Sequence, residues 1–217
     1  MLTVYQEEKN RRIDVEGTPV VNGQPAAART LSLETANSLG KSLYQQSVRQ
    51  ISGLIPATLL HLGWKYEKPV LTWYSSPSRQ QMFYTDNLQI PNGTMAVPAM
   101  VWQWDDFNRS LDVFALADPG KPREKTVLYH APFHNVYPHG DVCVGTGGKH
   151  ISRAETFEQV LRSVMKVFWT TAFSEIHNKE EVKGNLNTLH HKLITTAADN
   201  FPIEKLIPTG KTLNDLL

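Results

Sequence analysis

The chain has 217 residues, of which 41% are hydrophobic and 20% are charged, and this composition supports one hydrophobic core with an appended lobe. A formal net charge of +1 gives no global electrostatic reason to expect nucleic acid or an anionic membrane as a partner. The sequence has no apolar run long enough for a membrane span and no secretory signal at its start, so a cytoplasmic protein is expected. The single cysteine excludes an intramolecular disulfide.

The first 50 residues are predicted to form an N-terminal extension, and residues 51–217 to form the main domain. Leu2–Tyr5 and Ile13–Val15 are rich in strand formers, and Asn22-Gly23 is a turn signal. Ser32 is placed to cap a helix that begins at Leu33. The extension is therefore predicted to contain short strands followed by one helix.

The part of the chain that follows is predicted to be mainly antiparallel strands, after a short helical turn over Pro56–Leu62. The predicted strands are Val70–Tyr74, Gln81–Tyr84, Val97–Trp104, Ser110–Ala117 and Thr126–Tyr129. The second is the candidate partner of the first, and the third and fourth form the clearest hairpin. The tryptophans of this region are predicted to be mostly core.

The last third of the chain is predicted to be helical. Ser152 and Glu155 form a possible capping box. One apolar helical face follows, made of Phe157, Val160, Leu161, Val164 and Phe168. A second helix is predicted over Thr188–Ala198. Strands followed by helices predict an α+β domain in which the helices are segregated from the sheet.

The segment Pro132–Cys143 carries the most specific chemistry, because two prolines, an asparagine and a glycine impose an irregular path that ends at the only thiol. A thiolate that attacks a carbonyl or thioester carbon generates negative charge on the oxygen, and a neutral amide donor stabilises it. Asn135 is a suitable donor if the chain turns at Pro138 and Gly140 to bring it back towards Cys143. A lone cysteine without this context is usually a small buried hydrophobe.

The run Asn135–Cys143 resembles the active-site segment of ubiquitin-conjugating enzymes, which reads His-Pro-Asn, a short Gly-containing stretch, an apolar residue and the catalytic cysteine. The Asn-to-Cys spacing, Gly140 and Val142 all match. The resemblance implies a ubiquitin-conjugating-enzyme-like fold, with an antiparallel four-stranded meander packed against helices. It also implies that Cys143 is the nucleophile and that Asn135 is the oxyanion or loop-ordering residue. Phe133-His134 replaces the family's His-Pro.

Most of the chain is similar to the bacterial family called PRTRC system protein B, or prokaryotic ubiquitin-conjugating family D. The matching pieces are Val113–Ala117, Tyr129–Tyr137, Val142–Gly145, Trp169–Phe173 and Phe201–Gly210. This resemblance implies as partners a ubiquitin-like protein, an adenylating activating enzyme and a protein target. Residues 1–50 would then either dock the activating enzyme or complete the core.

Several other residues near Cys143 are candidates for roles in the chemistry. His130, His134 and His139 surround the segment, and either one of them is a general base for Cys143 or a source of positive charge, or they are one packed and two exposed imidazoles. The second interpretation is favoured for His130, which closes a strand, whereas His139 lies in the predicted turn and could face the thiol. Asp141 either orients an attacking amine or is an exposed turn carboxylate. The Cys and His spacings fit no zinc site, and no cofactor is expected.

Nucleotide binding is excluded because both glycine-lysine stretches fail the phosphate-loop pattern. Gly145–Lys149 has Cys143 where the first glycine is required, and Thr209–Thr212 has Lys205 there. The glycines after Cys143 are predicted instead to form a rim that admits an extended peptide tail. Three hypotheses remain: a thioester-forming transferase, an inactive scaffold with the same fold, and a cysteine hydrolase that uses a distant histidine.

Overall fold

The computed structural model describes residues 2–7, 12–47, 53–143, 156–177 and 181–217. The chain divides into two compact units, residues 1–49 and residues 50–217. Each unit has its own sheet.

The described residues of the first unit, 2–7 and 12–47, form five short strands and one helix. Strand β1 (Leu2–Glu7) pairs antiparallel with β2 (Arg12–Gly17), which also pairs with β5 (Arg29–Thr30). The hairpin of β3 (Val20–Val21) and β4 (Gln24–Pro25) turns at Asn22 and Gly23, both with positive φ, as a type I′ turn requires. Helix α1 (Leu33–Ser47) begins where the Ser32 hydroxyl accepts the Thr35 N–H at 3.1 Å. The predicted strands, turn and helix start are confirmed.

The second unit is built on a curled antiparallel sheet of six strands in the order β13-β12-β11-β10-β7-β6. These strands are β6 (Leu59–Lys65), β7 (Lys68–Ser75), β10 (Ala99–Asp105), β11 (Ser110–Leu116), β12 (Val127–His130) and β13 (Pro208–Thr212). A separate hairpin, β8 (Ser78–Met82) with β9 (Gly93–Val97), lies between β7 and β10 in the chain. The α+β prediction is confirmed, but the predicted meander of four strands is wrong, because β6 and β13 extend it.

Two local predictions are also wrong. Pro56–Leu62 is not a helical turn, since Leu59 opens the edge strand β6. The strand predicted at Gln81–Tyr84 does not pair with β7, whose partners are β6 and β10. The pairing with β10 places Trp102 directly opposite Trp73, and their rings stack with centroids 6.3 Å apart. Pairing β7 with β10 in this register buries a large aromatic area. Pairing β7 with the glutamine-rich β8 would bury much less aromatic surface.

Two helices follow the cysteine segment. Helix α2 (Phe157–Thr170) starts with a capping box made by Thr156 and Gln159, while the predicted box residues Ser152 and Glu155 lie outside the described residues. Helix α3 (Leu186–Thr195) begins two residues before the prediction, because the Asn185 side chain accepts the Thr188 N–H at 2.8 Å. No helix in the described ranges is long and apolar enough to cross a membrane.

Both faces of the sheet are buried around β10. Met100, Trp102 and Trp104 pack on the side of α2 and α3, and the alternate residues Ala99 and Val101 pack on the other side. The second side is covered in part by the chain end, through Leu213 and Leu216. Four of the five tryptophans are buried, and Trp64 is 58% exposed. The prediction that the tryptophans are mostly core is therefore confirmed.

Truncating Trp102 tests the central role of β10. Its ring is fully buried between Trp73, Phe168 and Trp169, and its indole N–H donates to Ser75 Oγ at 2.9 Å. We expect Trp102→Ala to lower the free energy of unfolding by about 3–5 kcal/mol in urea denaturation. The matched control Trp64→Ala removes an exposed ring and should cost less than about 1 kcal/mol. Equal losses for the two variants would contradict this assignment of the core.

Candidate active site

Residues 135–143 form a small β-hairpin that returns Cys143 to Asn135. The Cys143 N–H donates to the Asn135 carbonyl at 2.8 Å, and the Tyr137 N–H donates to the Asp141 carbonyl at 2.8 Å. Gly140 closes the turn by donating to the Tyr137 carbonyl at 2.9 Å. Pro138 and His139 are therefore the central residues of a tight turn, and Gly140 follows them with a positive φ. The turn expected from the sequence is present.

The hairpin is attached to the sheet along β11. The Val142 N–H donates to the Leu111 carbonyl at 2.8 Å, and the Val113 N–H donates to the Gly140 carbonyl at 2.9 Å. The hairpin thus occupies the edge of β11 next to the stretch where β12 pairs with Phe114 and Ala115. A rigid sheet consequently presents the free thiol of Cys143, which is exposed.

Gly140 is required by both the turn and the packing. Its φ of +104° lies in the region that side-chain-bearing residues rarely adopt. A Cβ atom at this position would lie 2.4 Å from Cζ of the buried Phe114 ring. The hairpin can approach the sheet this closely only because residue 140 has no side chain.

The Asn135 side chain ties the hairpin to the segment that follows α2. Its Oδ1 accepts the backbone N–H groups of Ser174 (3.1 Å) and Glu175 (3.0 Å) and the Ser174 hydroxyl (3.2 Å). Its Nδ2 donates to the Ala172 carbonyl at 3.2 Å. Asn135 itself has φ +61°, a conformation that asparagine tolerates better than most residues. Four hydrogen bonds from this one side chain therefore hold residues 172–175 next to the hairpin.

Asn135 and Cys143 also share one small crevice. Its other lining residues are Val142, Phe168, Thr171 and Phe173. The thiol-bearing end of the hairpin therefore sits next to the end of α2, and the Asn135 amide lies at the same crevice as Cys143.

Phe133 and His134, which replace the family's His-Pro, are both fully buried. The Phe133 ring contacts Phe168 and Trp169 edge to face, with centroids 5.6 and 5.4 Å away. His134 Nε2 lies 2.8 Å from Asn187 Oδ1 on α3. The segment that enters the hairpin is thus held by aromatic packing and a hydrogen bond to α3.

A second buried histidine, His190 on α3, supports the same segment. Its Nε2 lies 2.8 Å from the Pro132 carbonyl, which can only accept, so Nε2 carries the proton. Its Nδ1 then accepts from the Tyr84 hydroxyl at 2.8 Å. Burial lowers the pKa of His190 to about 3 and also lowers the pKa of His134. Both imidazoles are neutral in the folded protein, and of the two interpretations of His134 the structure shows a packed imidazole.

The remaining histidine and carboxylate candidates lie elsewhere on the hairpin and β12. His139 is exposed at the hairpin tip, the end opposite the Asn135–Cys143 pair. His130 is partly buried at the end of β12. Asp141 is exposed and faces Asp112 of β11 across an antiparallel bridge.

Sequence reasoning missed Asp112, whose pKa is raised to about 7 by burial and by the hydrogen bond and negative charge of Asp141. It also missed Tyr84, His190 and Asn187, because no spacing in the chain links these residues to Pro132–Cys143. The predicted glycine rim, Gly145–Lys149, lies outside the described residues. Among the residues that are described, no group of three or more histidine, cysteine or acidic side chains could hold a metal ion.

An α+β domain with an exposed cysteine held beside a buried asparagine is the arrangement expected of an E2-like protein. The family model for prokaryotic E2 family D matches residues 35–209, and the chain belongs to that family. It is thus a bacterial E2-like, conjugating-type protein, and such proteins generally have a ubiquitin-like protein and an activating enzyme as partners. No curated protein matches the chain, and no solved structure does.

The packing of Gly140 predicts a site-specific effect of a methyl group. Gly140→Ala adds backbone strain and a clash with Phe114, so we expect it to destabilise the protein by about 2 kcal/mol more than Gly184→Ala. Gly184 is the matched control because its φ is +117° and a Cβ atom added there would have no neighbour within 4 Å. Thermal unfolding measures both variants. Equal destabilisation of the two variants would show that the positive φ alone requires glycine at position 140, without a contribution from the contact with Phe114.

The neutral histidines predict a loss of stability in acid. Because burial depresses the pKa of His190 to about 3, its contribution is complete above the unfolded pKa of roughly 6.5 and is lost as the pH falls towards 3. We expect His190→Gln to reduce the drop in unfolding free energy between pH 6.5 and 4.5 by about 2 kcal/mol. His191→Gln, on the exposed neighbouring residue, should leave that drop unchanged. Urea denaturation at each pH gives both values, and an unaltered slope in His190→Gln would contradict the assignment.

Proposed function

We propose that the protein accepts a ubiquitin-like protein from an adenylating activating enzyme as a thioester on Cys143 and transfers it to an amine of a protein target. The observation that carries this proposal is the hairpin, which fixes an exposed, unique thiol against Asn135 through the 2.8 Å backbone hydrogen bond. Membership of prokaryotic E2 family D supports the choice of chemistry.

In the first step, the Cys143 thiolate would attack the thioester carbonyl carbon on the activating enzyme and expel that enzyme's thiolate. In the second step, a target amine would attack the new thioester, lose its proton and expel the Cys143 thiolate. Each step passes through a tetrahedral oxyanion. Asn135 would contribute by ordering the loop at residues 172–175, with which its side chain makes four hydrogen bonds.

A scaffold without transferase activity is the second candidate. The same four hydrogen bonds favour it, because they commit the Asn135 oxygen and at least one amide hydrogen to structure. His139, the candidate base, lies at the far end of the hairpin from the thiol. A scaffold would bind a ubiquitin-like protein or the activating enzyme through the same fold without forming a thioester.

Thioester formation distinguishes the two candidates. The purified protein is incubated with ATP and with an activating enzyme and a ubiquitin-like protein from the same organism, and products are separated with and without reductant. We expect a reductant-sensitive adduct with the native protein and none with Cys143→Ala. Cys143→Ser should give an adduct that resists the reductant, because an oxygen ester replaces the thioester.

An adduct that persists in Cys143→Ala would overturn the assignment of the nucleophile. Stable binding of the ubiquitin-like protein, measured by calorimetry, without any adduct would favour the scaffold. Release of the modifier from a preformed ester without an activating enzyme would instead indicate a cysteine hydrolase.

A further inference from the structure

Asp112 and Asp141 face each other directly across the strands that attach the hairpin to the sheet. The flanking hydrogen bonds, Val113 to Gly140 and Val142 to Leu111, make this the non-hydrogen-bonded type of antiparallel pair. In such a pair the Cα atoms are about 4.5 Å apart and the side chains lie close together on one face. Interaction with the Asp141 carboxyl is accordingly one of the causes that raise the pKa of Asp112.

Two ionised carboxylates are unfavourable in this position. Like charges directly opposite in a sheet repel, and Asp112 is largely enclosed, with an Oδ1 that has no hydrogen-bond partner in the described part of the chain. Two other charges act on Asp112. The Lys211 ammonium of β13 favours its ionised form, and the Asp105 carboxylate of β10 disfavours that form. A hydrogen bond between two carboxyl groups exists only when one of them carries a proton.

We propose that Asp112 and Asp141 share a single proton, and that this carboxyl pair is a pH-dependent positioning device for the Cys143 hairpin. Asp112 acts through Asp141 and does not touch the reacting atoms, so it is a positioning residue. Cys143 follows Asp141 by two residues in extended backbone, which places both side chains on the same side of the strand. The role in thioester chemistry rests on the proposed function.

Loss of the shared proton to solvent has a defined consequence. The pair then carries two negative charges, which repel across the strands and disfavour the negative thiolate of Cys143 on the same side. Burial and the neighbouring Asp141 raise the pKa of Asp112 to about 7, so the change in charge falls near neutral pH. Below that pH the pair carries one negative charge and holds the hairpin to β11.

The test is the rate of Cys143 alkylation by iodoacetamide between pH 6 and pH 8.5, followed by intact mass. Cys143 is the only thiol, so a single adduct reports on it. Asp112→Asn keeps the shape and a hydrogen-bond donor but cannot ionise. We expect the ratio of the Asp112→Asn rate to the native rate to be near one at pH 6 and to rise to about two to five at pH 8.5. His139 is present in both proteins, so its influence cancels in the ratio.

Asp141→Asn should give the same rise, and because Asp141 is exposed this variant keeps the test available if Asp112→Asn folds poorly. Asp199→Asn, which removes a carboxylate that is 95% exposed, is the matched control and should give a flat ratio. A merely structural role would change the rate equally at every pH. A flat ratio in both Asp112→Asn and Asp141→Asn would overturn the proposal.

The outcome separates this inference from the proposed function. A flat alkylation ratio in a protein that still forms the modifier adduct would reject only the shared proton. A rising ratio in a protein that forms no adduct would reject only the transferase activity.

Discussion

The hydrogen bond from the Cys143 N–H to the Asn135 carbonyl sets the register on which the rest of the site depends. Side chains alternate between the faces of a strand, so a slip of one residue would send Val142 outwards and Asp141 and Cys143 inwards. Two contacts fix this register from the sheet side: the paired bonds between the hairpin and β11, and the close approach of Gly140 to Phe114. The hairpin is therefore an extension of the sheet, and the position of the thiol follows from strand pairing.

The other side of the site is organised by buried, uncharged groups. The Asn135 side chain accepts hydrogen bonds from backbone N–H groups after α2, while the Phe133 ring packs against Phe168 and Trp169 at the end of that helix. As neutral imidazoles, His134 binds Asn187 of α3 and His190 of α3 binds the Pro132 carbonyl. Together these contacts fix the backbone that leads into Asn135. This arrangement keeps two buried histidines unprotonated.

Local patterns predicted those elements whose cause is local. The β10–β11 hairpin, the apolar face of α2 and the turn at Pro138–Gly140 follow from alternation, helical spacing and turn residues. The edge strand β6, the partner of β7 and the terminal strand β13 depend on pairing between distant segments. The same limit applies to the site. Asn135 and Cys143 are close in the chain, but His190 and Asp112 reach the site only through folding. Asp112 also fits the alternating pattern of an ordinary strand, so the sequence gives no sign that it lies at the site.

Two kinds of contact support the Cys143 hairpin, and they respond differently to a change in pH. Asn135 holds one strand of the hairpin through amide hydrogen bonds that do not titrate near neutral pH. Asp112 faces the other strand through a carboxyl group whose raised pKa lies near neutrality. The amide contacts keep the loop in place at any physiological pH, whereas the carboxyl pair changes the charge beside the thiol. Since the two supports act on opposite strands, charge at the site can vary without loss of the loop that presents the cysteine.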